Sequence, residues 1–396
     1  VTNENGHLLV VDDNEMNRDM LSRRLARKGH TVEVAEDGHR ALAMVEETDF
    51  DVILLDIMMP GVDGYQVLEK LREEHDSGDL PVIMATAKDQ SEDIVSALKL
   101  GANDYVTKPF DFPVVLARVQ TQLQLKRSRQ ALASAHRRMK KDLEAAARIQ
   151  AAFLPPEVVE AEGLRFAWRY VPCDELAGDT LGIVPLDDTH VGVYVVDVSG
   201  HGVPSALLSV SLSRLLTADS ASSVLWATDG GQAAPRIASP LQVMTRLSER
   251  FTYDIQTGQY FTMVYGVVDL ERIELTYASA GHEPLIVVGP GRSPEFGEST
   301  GQPVALVPAM LMKSSYEERT IPLNRGDRVY IYSDGIPEAR TPDGEQWDNE
   351  RLAEKLTELM GTDLDDGLPE ILKTVRAWQG GPHFSDDVSL LAVEIC

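Results

Sequence analysis

Residues 7–110 alternate five times between a short apolar run and a segment of helical period, and few folds accept that pattern. His7–Val11, Thr31–Ala35, Asp51–Leu55, Leu80–Ala85 and Asp104–Thr107 read as strands. Met16 to Lys28, Gly38–Glu47, Tyr65–Glu74 and Gln90–Leu100 read as helices, the first stopping at Gly29 and the last at Gly101. The pattern predicts an α/β domain built on a doubly wound, five-stranded parallel sheet. The residues able to do chemistry fall at strand ends. Asp12 and Asp13 follow the first strand, Asp56 the third, Thr86 the fourth and Lys108 the fifth. In a doubly wound sheet those ends converge on one crevice. Asp56 follows Val-Ile-Leu-Leu and precedes Met-Met-Pro-Gly, a buried strand running into a tight loop.

Three carboxylates in one crevice repel each other unless a cation joins them. Mg²⁺ suits the place, being a hard ion held by a few carboxylates plus waters and phosphate. A hydroxyl (Thr86) and an ammonium (Lys108) could hold the oxygens of a phosphoryl group on Asp56. Residues 5–125 thus resemble the receiver domain of bacterial response regulators. The resemblance implies that Asp56 accepts the phosphoryl group and that Asp12 and Asp13 hold Mg²⁺ with it, the Met58 carbonyl completing the metal site. It implies Thr86 and Tyr105 as switch residues, Lys108 as the phosphoryl contact, a cis Lys108–Pro109 bond and a sensor histidine kinase as partner.

From Phe112 the chain runs without a glycine to Leu154, where Pro155-Pro156 follow. Leu125, Leu132, Met139, Ala146 and Phe153 recur every seven residues, and Ala135, Leu143 and Ile149 add intervening steps. Lys126, Arg127, Arg129, Arg137, Arg138, Lys140 and Lys141 crowd the same stretch. This predicts a long helix that pairs with a second copy as a coiled coil and carries a signal. The expected domains are 1–123, a helical linker at 124–154, and 155–396.

The remainder reads as an α+β domain, an antiparallel β-sandwich flanked by helices. Leu164–Val171, Val191–Val198, Phe261–Asp269, Ile273–Ala278, Pro284–Val288 and Arg328–Ser333 are strand-like; Pro204–Leu216 and Leu241–Thr252 are helical. Ala218–Ser239, rich in Ala, Ser and Gly, reads as a mobile loop. Four acidic motifs stand out: Ala177-Gly-Asp179, Val195-Val-Asp197-Val-Ser-Gly-His-Gly202, Ile331-Tyr-Ser-Asp334-Gly335 and Phe384-Ser-Asp386-Asp387. Asp197, Asp334 and Asp386 each lie at one end of an apolar strand. Gathered in one cleft with few bases, such carboxylates need metal. Two divalent ions about 3.5–4 Å apart could hold them and activate a bridging water for attack on phosphorus. No Ser-His-Asp or Cys-His arrangement competes. Ser199 lacks the strand-elbow-helix setting of a nucleophile, and His201 and His282, in Gly-rich turns, read as structural.

Over residues 148–396 these motifs resemble the PPM family of metal-dependent serine/threonine protein phosphatases, and within it the SpoIIE/RsbU branch. Tyr277-Ala-Ser-Ala-Gly281-His282, Ser-Asp-Gly-Ile-Pro-Glu338 and the Ile149-Gln150…Leu154-Pro155 opening carry the likeness too. It implies two Mn²⁺ or Mg²⁺ ions, with Asp197 as bridging ligand, the Val198 carbonyl beside it, and Asp179, Asp334 and Asp386 completing the site; Asp387 competes with its neighbour. It implies a phosphorylated anti-sigma-factor antagonist of the STAS type as substrate. Two departures stand out. Gly182 replaces the second Asp of the usual Gly-Gly-Asp-aromatic-aromatic-Asp, and Ser279 replaces the usual Asn.

Charge narrows the function classes. The 396 residues carry a formal net charge of −26, which disfavours nucleic acid and anionic membrane surfaces as partners. The two cysteines, Cys173 and Cys396, form neither metal spacing nor disulfide framework, which fits a reducing cytoplasm. No apolar run spans a bilayer. A rival reading is a non-catalytic adaptor switched by Asp56 phosphorylation, supported by the missing Asp at 182.

Overall fold

The computed structural model describes residues 5–87, 91–156, 159, 161–227, 236–254, 258–299, 301–306 and 316–396. The chain forms two compact units, Val1–Lys140 and Lys141–Cys396.

In the first unit the strands are β1 (His7–Val11), β2 (Thr31–Ala35), β3 (Val52–Asp56), β4 (Val82–Ala87) and β5 (Asp104–Lys108). They alternate with α1 (Glu15–Ala26), α2 (Gly38–Glu47), α3 (Gly64–Glu74) and α4 (Ser91–Lys99); α5 (Phe112–Ala151) follows β5. The strands pair in parallel in the order β2-β1-β3-β4-β5, as the alternation predicts. Both faces of the sheet are buried, so the strands read as unbroken apolar runs. Leu9, Val11, Ile53, Leu55 and Met84 pack with Ala41, Met44, Val67, Leu68 and Leu71 of α2 and α3. Leu8, Val10, Leu54 and Ile83 pack against Leu21 and Leu25 of α1 and Val115, Val119 and Leu123 of α5. The strand order reverses between β1 and β3; Asp56 ends β3 there and Asp12 immediately follows β1.

Helix α5 is one element of 40 residues that carries the chain from the first unit into the second. Its Pro113 sits at the start, where no intrahelical N–H bond is lost.

The second unit contains β6 (Leu164–Val171), β7 (Thr180–Pro185), β8 (His190–Val198), α6 (Val203–Leu215), β9 (Trp226–Ala227), β10 (Arg236–Ile237), α7 (Pro240–Arg250), β11 (Phe261–Asp269) and β12 (Glu274–Ala280). Then come β13 (Ile286–Val288), β14 (Glu295–Phe296), β15 (Arg319–Pro322), β16 (Arg328–Tyr332), α8 (Asn349–Glu358), a 3-10 turn at Leu359–Gly361, α9 (Leu364–Gln379) and β17 (Val388–Ile395). Two antiparallel five-stranded sheets, β15-β12-β11-β8-β7 and β14-β13-β16-β17-β6, pack face to face. Val193, Val195, Val264 and Leu275 meet Val287, Val329, Ile331 and Leu391 between them. The outer face of the first sheet packs on Leu212 of α6 and Val243, Met244 and Leu247 of α7. The outer face of the second packs on Leu352 and Leu356 of α8 and Leu368, Ile371 and Val375 of α9. The result is a four-layer sandwich with helices outside.

One expectation needs correcting. Residues 228–235 of Ala218–Ser239 lie outside the described residues, but the rest is not an open loop. Val224, Leu225, Ala227 and Ala238 are buried in the core, and β9 pairs with β10. Small residues there serve close packing as well as turns. No helix of the described residues is long and apolar enough to cross a membrane.

Candidate functional site

The first site lies where the strand ends converge. Asp12 and Asp56 are buried and Asp13 exposed, and carboxylate oxygens of all three lie within 4.8 Å of one another. Lys108 bridges them, its Nζ 2.6 Å from Asp56 Oδ2 and 2.8 Å from Asp12 Oδ2. Asp12 is held in place as well: Asn14 N donates to its Oδ1 at 2.9 Å and Asn17 Nδ2 reaches both oxygens at 3.1 Å. Burial raises the Asp56 pKa above the usual carboxylate value; Lys108 acts against that and Asp12 with it. Burial acts to lower the Lys108 ammonium, but its bonds to Asp12 and Asp56 prevail and leave it raised. Met58 turns its side chain to solvent, and its N–H faces Asp56 Oδ1 at 3.4 Å. Thr86 is buried on β4, one residue beyond the Asp56–Ala85 register pair. Tyr105, half-buried on β5, lies under the Arg118 guanidinium at 5.8 Å. The Lys108–Pro109 bond is cis.

The second site forms at one end of the sandwich. Asp197 is the penultimate residue of β8 and Asp179 immediately precedes β7, its antiparallel neighbour. Asp334 stands two residues beyond β16; Asp386 and Asp387 lead into β17, antiparallel to β16. Register therefore delivers two acids from the first sheet and three from the second. Gly335 is required here, because a Cβ would sit 2.1 Å from the Asp387 carbonyl oxygen. Gly178 is required too, since its Cβ would sit 2.6 Å from the Val198 carbonyl oxygen at the end of β8.

Electrostatics mark the cluster. Burial pushes Asp197 up to about 8, with Asp334 and Asp386 adding like charge. Burial pushes Asp334 up to about 7, with Asp386, Glu338 and Glu283 adding to it. Asp179 is buried and held well above the carboxylate range by desolvation and by Asp197, with the Ser333 hydroxyl opposing. Its Oδ2 has no hydrogen-bond partner among the described residues. A buried, unpaired carboxylate oxygen among other acids is what a cation site leaves when only protein atoms are counted. The donor set, all hard oxygen, fits Mg²⁺ or Mn²⁺.

Asp386 and Asp387 divide their work. Asp386 is exposed, its pKa raised by burial of its carboxyl and by Asp387. Asp387 is buried and spends its oxygens on backbone: Oδ1 accepts from Cys173 N at 2.8 Å and Oδ2 from Gly178 N at 2.7 Å. It fastens the Cys173–Gly178 loop, leaving Asp386 open toward the cleft. The Cys173 sulfur also lies within 4.8 Å of both carboxylates, but burial and Asp387 push the thiol up to about 12, far from the thiolate a metal takes.

Three acids were not singled out from the sequence alone: Glu283, Glu338 and Asp387 in this supporting role. Asn349 Nδ2 holds Glu283 at 2.8 Å, and Tyr332 Oη holds Asn349 at 2.8 Å. Glu283 follows Gly281-His282 and Glu338 closes Ser-Asp-Gly-Ile-Pro-Glu, so the motifs held the signal. His282 is buried, its Nδ1 2.7 Å from the Thr262 hydroxyl, and burial holds it down at about 4, so it is neutral. His201 is exposed beside Asp174 at 3.1 Å. Gly182 has no space to spare: a Cβ there would sit 2.3 Å from the Tyr194 ring, which fills the place a longer side chain would need. Ser279 is buried on β12, its hydroxyl 3.5 Å from that of Ser299.

The family described as "Stage II sporulation protein E (SpoIIE)" matches residues 187–395, and the response regulator receiver domain matches residues 8–120. The transcriptional regulatory protein HprR of Escherichia coli is 40% identical over 116 residues, 29% of this chain and 51% of that protein. The regulatory protein VanRc of Enterococcus gallinarum is 42% identical over 116 residues, 29% of this chain and 49% of that protein. The chain spans about half the length of these curated relatives. The SiaA-PP2C domain of Pseudomonas aeruginosa superposes with a TM-score of 0.54 at 20% identity, covering 67% of this chain and 100% of that one, a likeness of fold.

Proposed function

Because the chain belongs to the SpoIIE family and carries a response regulator receiver domain ahead of its PP2C-type phosphatase domain, we propose that phosphorylation of Asp56 controls a metal-dependent serine/threonine protein phosphatase in its second half. The observation that carries this reading is the carboxylate cluster at the sandwich end. Asp197 and Asp334 keep their protons to about 8 and 7, so at neutral pH the site trades protons for divalent cations. Asp197 with the Val198 carbonyl, Asp179, Asp334 and Asp386 would hold two Mn²⁺ or Mg²⁺ ions. The ions supply the positive charge that binds a phosphoryl group and acidifies a water. The protein's own part is orientation: Asp387 fixes the loop leading to Asp179, Asn349 fixes Glu283, and Ser333 ties the Asp334 turn to β17. Helix α6 begins at Val203 with no side-chain cap on its N-terminus, which favours anions near that end.

At the first site a sensor histidine kinase transfers its phosphoryl group to an Asp56 oxygen. Asp12, Asp13, Asp56 and the Met58 carbonyl would hold Mg²⁺ there. Lys108 already faces Asp56 Oδ2 and pairs with the phosphoryl oxygens once they are there. The Thr86 hydroxyl then turns toward them and Tyr105 follows, as switch residues. The signal leaves through α5, paired with α5 of a second copy along Leu125, Leu132 and Met139, which are 58%, 72% and 57% exposed. The substrate we assign is a phosphoserine or phosphothreonine on a STAS-type anti-sigma-factor antagonist, on the likeness of the Asp-Val-Ser-Gly-His-Gly and Asp-Asp-Val-Ser motifs. The non-catalytic adaptor has one feature on its side, the missing Asp at Gly182, where the Tyr194 ring fills the space; against it stand Asp179, Asp197, Asp334 and Asp386, all present.

The test is phosphate release by the full chain from a phosphoserine-bearing STAS protein with Mn²⁺. Asp197→Asn is expected to lower the rate about 10²–10³-fold. Equal rates for wild type and variant, or rates indifferent to chelator, would sink the proposal.

A further inference from the structure

We propose that Gln150 is a positioning residue for this phosphatase reaction: one buried amide through which the linker helix grips the Asp179 turn. Gln150 lies in the last turn of α5 and is 8% exposed. Its Nε2 donates to the Ala177 carbonyl oxygen at 2.7 Å and to Ser209 Oγ at 2.9 Å. Its Oε1 accepts from Ala177 N at 3.4 Å. A glutamine amide has two donors and one carbonyl oxygen, and here both donors and the oxygen are engaged, the oxygen by Ala177 alone and the nitrogen by Ala177 and Ser209.

Both elements lead directly to the acidic cluster. Ala177 precedes Gly178, whose N–H holds Asp387, and Asp179 follows. The turn has no slack, because Gly178 lies against the Val198 carbonyl. Ser209 is on α6, and one turn earlier on that helix Ser205 Oγ donates to the Ser199 carbonyl at 3.2 Å, two residues from Asp197. So one side chain joins the end of α5 to the segments carrying Asp179 and Asp197. Sliding α5 along its axis by a single helical turn moves Gln150 by about 5.4 Å, far beyond the reach of these bonds. Small shifts at such a packed joint select between discrete arrangements. The proposal rests on the phosphatase reading and adds the residue through which α5 acts.

The experiment uses the full chain and Gln150→Met, which keeps the length and apolar stem and removes every hydrogen bond. Three quantities are read: amide hydrogen exchange over residues 173–179 without metal, Mn²⁺ affinity by calorimetry, and the ratio of phosphatase rates with and without beryllofluoride on Asp56. Expected are at least tenfold faster exchange at Ala177 and Gly178, about tenfold weaker Mn²⁺ binding, and a rate ratio near one, with the thermal midpoint little changed. Gln150→Glu, which keeps the acceptor for Ala177 N but loses the donor to the Ala177 carbonyl and Ser209 Oγ, is expected to fall between the two in exchange. Unchanged exchange and Mn²⁺ affinity in Gln150→Met would overturn the proposal. If wild type shows no metal-dependent turnover, the phosphatase reading fails, while exchange and Mn²⁺ binding still decide the role of Gln150.

Discussion

Asp197 and Asp334 hold protons that exposed carboxylates lose near pH 4, and this has a measurable sign. A carboxylic acid whose folded pKa is raised binds more protons folded than unfolded. Between about 4 and the values of about 7 and about 8, stability of the metal-free protein therefore falls as pH rises. Cations displace those protons, so Mn²⁺ affinity rises through the same window. The thermal midpoint of chelator-treated protein is expected to drop by roughly 5 °C or more from pH 5 to pH 8, Mn²⁺ restoring it at pH 8. Asp197→Asn should flatten the dependence. A midpoint that rises with pH, in wild type without metal, would contradict the cluster described. At this scale the sequence was informative wherever an acid ended an apolar run, as Asp56 and Asp197 do. It was silent on Asp387, because nothing in Asp386-Asp387 says which carboxylate turns inward to accept the Cys173 and Gly178 amides. It marked Gln150 only as part of the Ile149-Gln150…Leu154-Pro155 opening and not its bonds, because its partners are 27 and 59 residues away.

Among the elements, α5 bears most on regulation. Residues 124–154 hold eight Lys and Arg against two Asp and Glu, in a chain of net charge −26. Lys126 and Arg129 reach Asp51 and Asp76 of the first unit, which roots that part of the helix. Proline inside a helix removes a hydrogen bond and costs about 3 kcal/mol or more. Met139→Pro is expected to leave metal-dependent turnover measurable, to convert a dimer to a monomer in sedimentation, and to abolish the rate response to beryllofluoride. A response that survives would remove α5 from the account. The helical period of α1 to α3 and the apolar runs behind β8 and β11 were legible because burial imposes them on the sequence. Helices α8 and α9 were not foreseen, although Leu352 and Leu356, and Leu368, Ile371 and Val375, have the right spacing. Pro369 inside α9 and the Asp363–Asp366 run at its start read locally as a break and a turn. Packing on the second sheet overrides that reading.

On the scale of the whole molecule, the chain places one buried acidic group around Asp56 and another around Asp197 and Asp334 on two separate folds joined by one continuous helix. Neither fold needs the other for its core: each has its own clusters of buried residues. Such a design makes sense when one site reports on the other, which requires two states of the linker biased by a few kcal/mol. The decisive measurement is the phosphatase rate of the full chain with Mn²⁺, with and without beryllofluoride, for wild type and Asp56→Asn. The account predicts a rate that changes severalfold with beryllofluoride in wild type and not at all in Asp56→Asn. Equal rates in all four states, with turnover still dependent on metal and Asp197, would leave an enzyme with no switch and contradict the central claim.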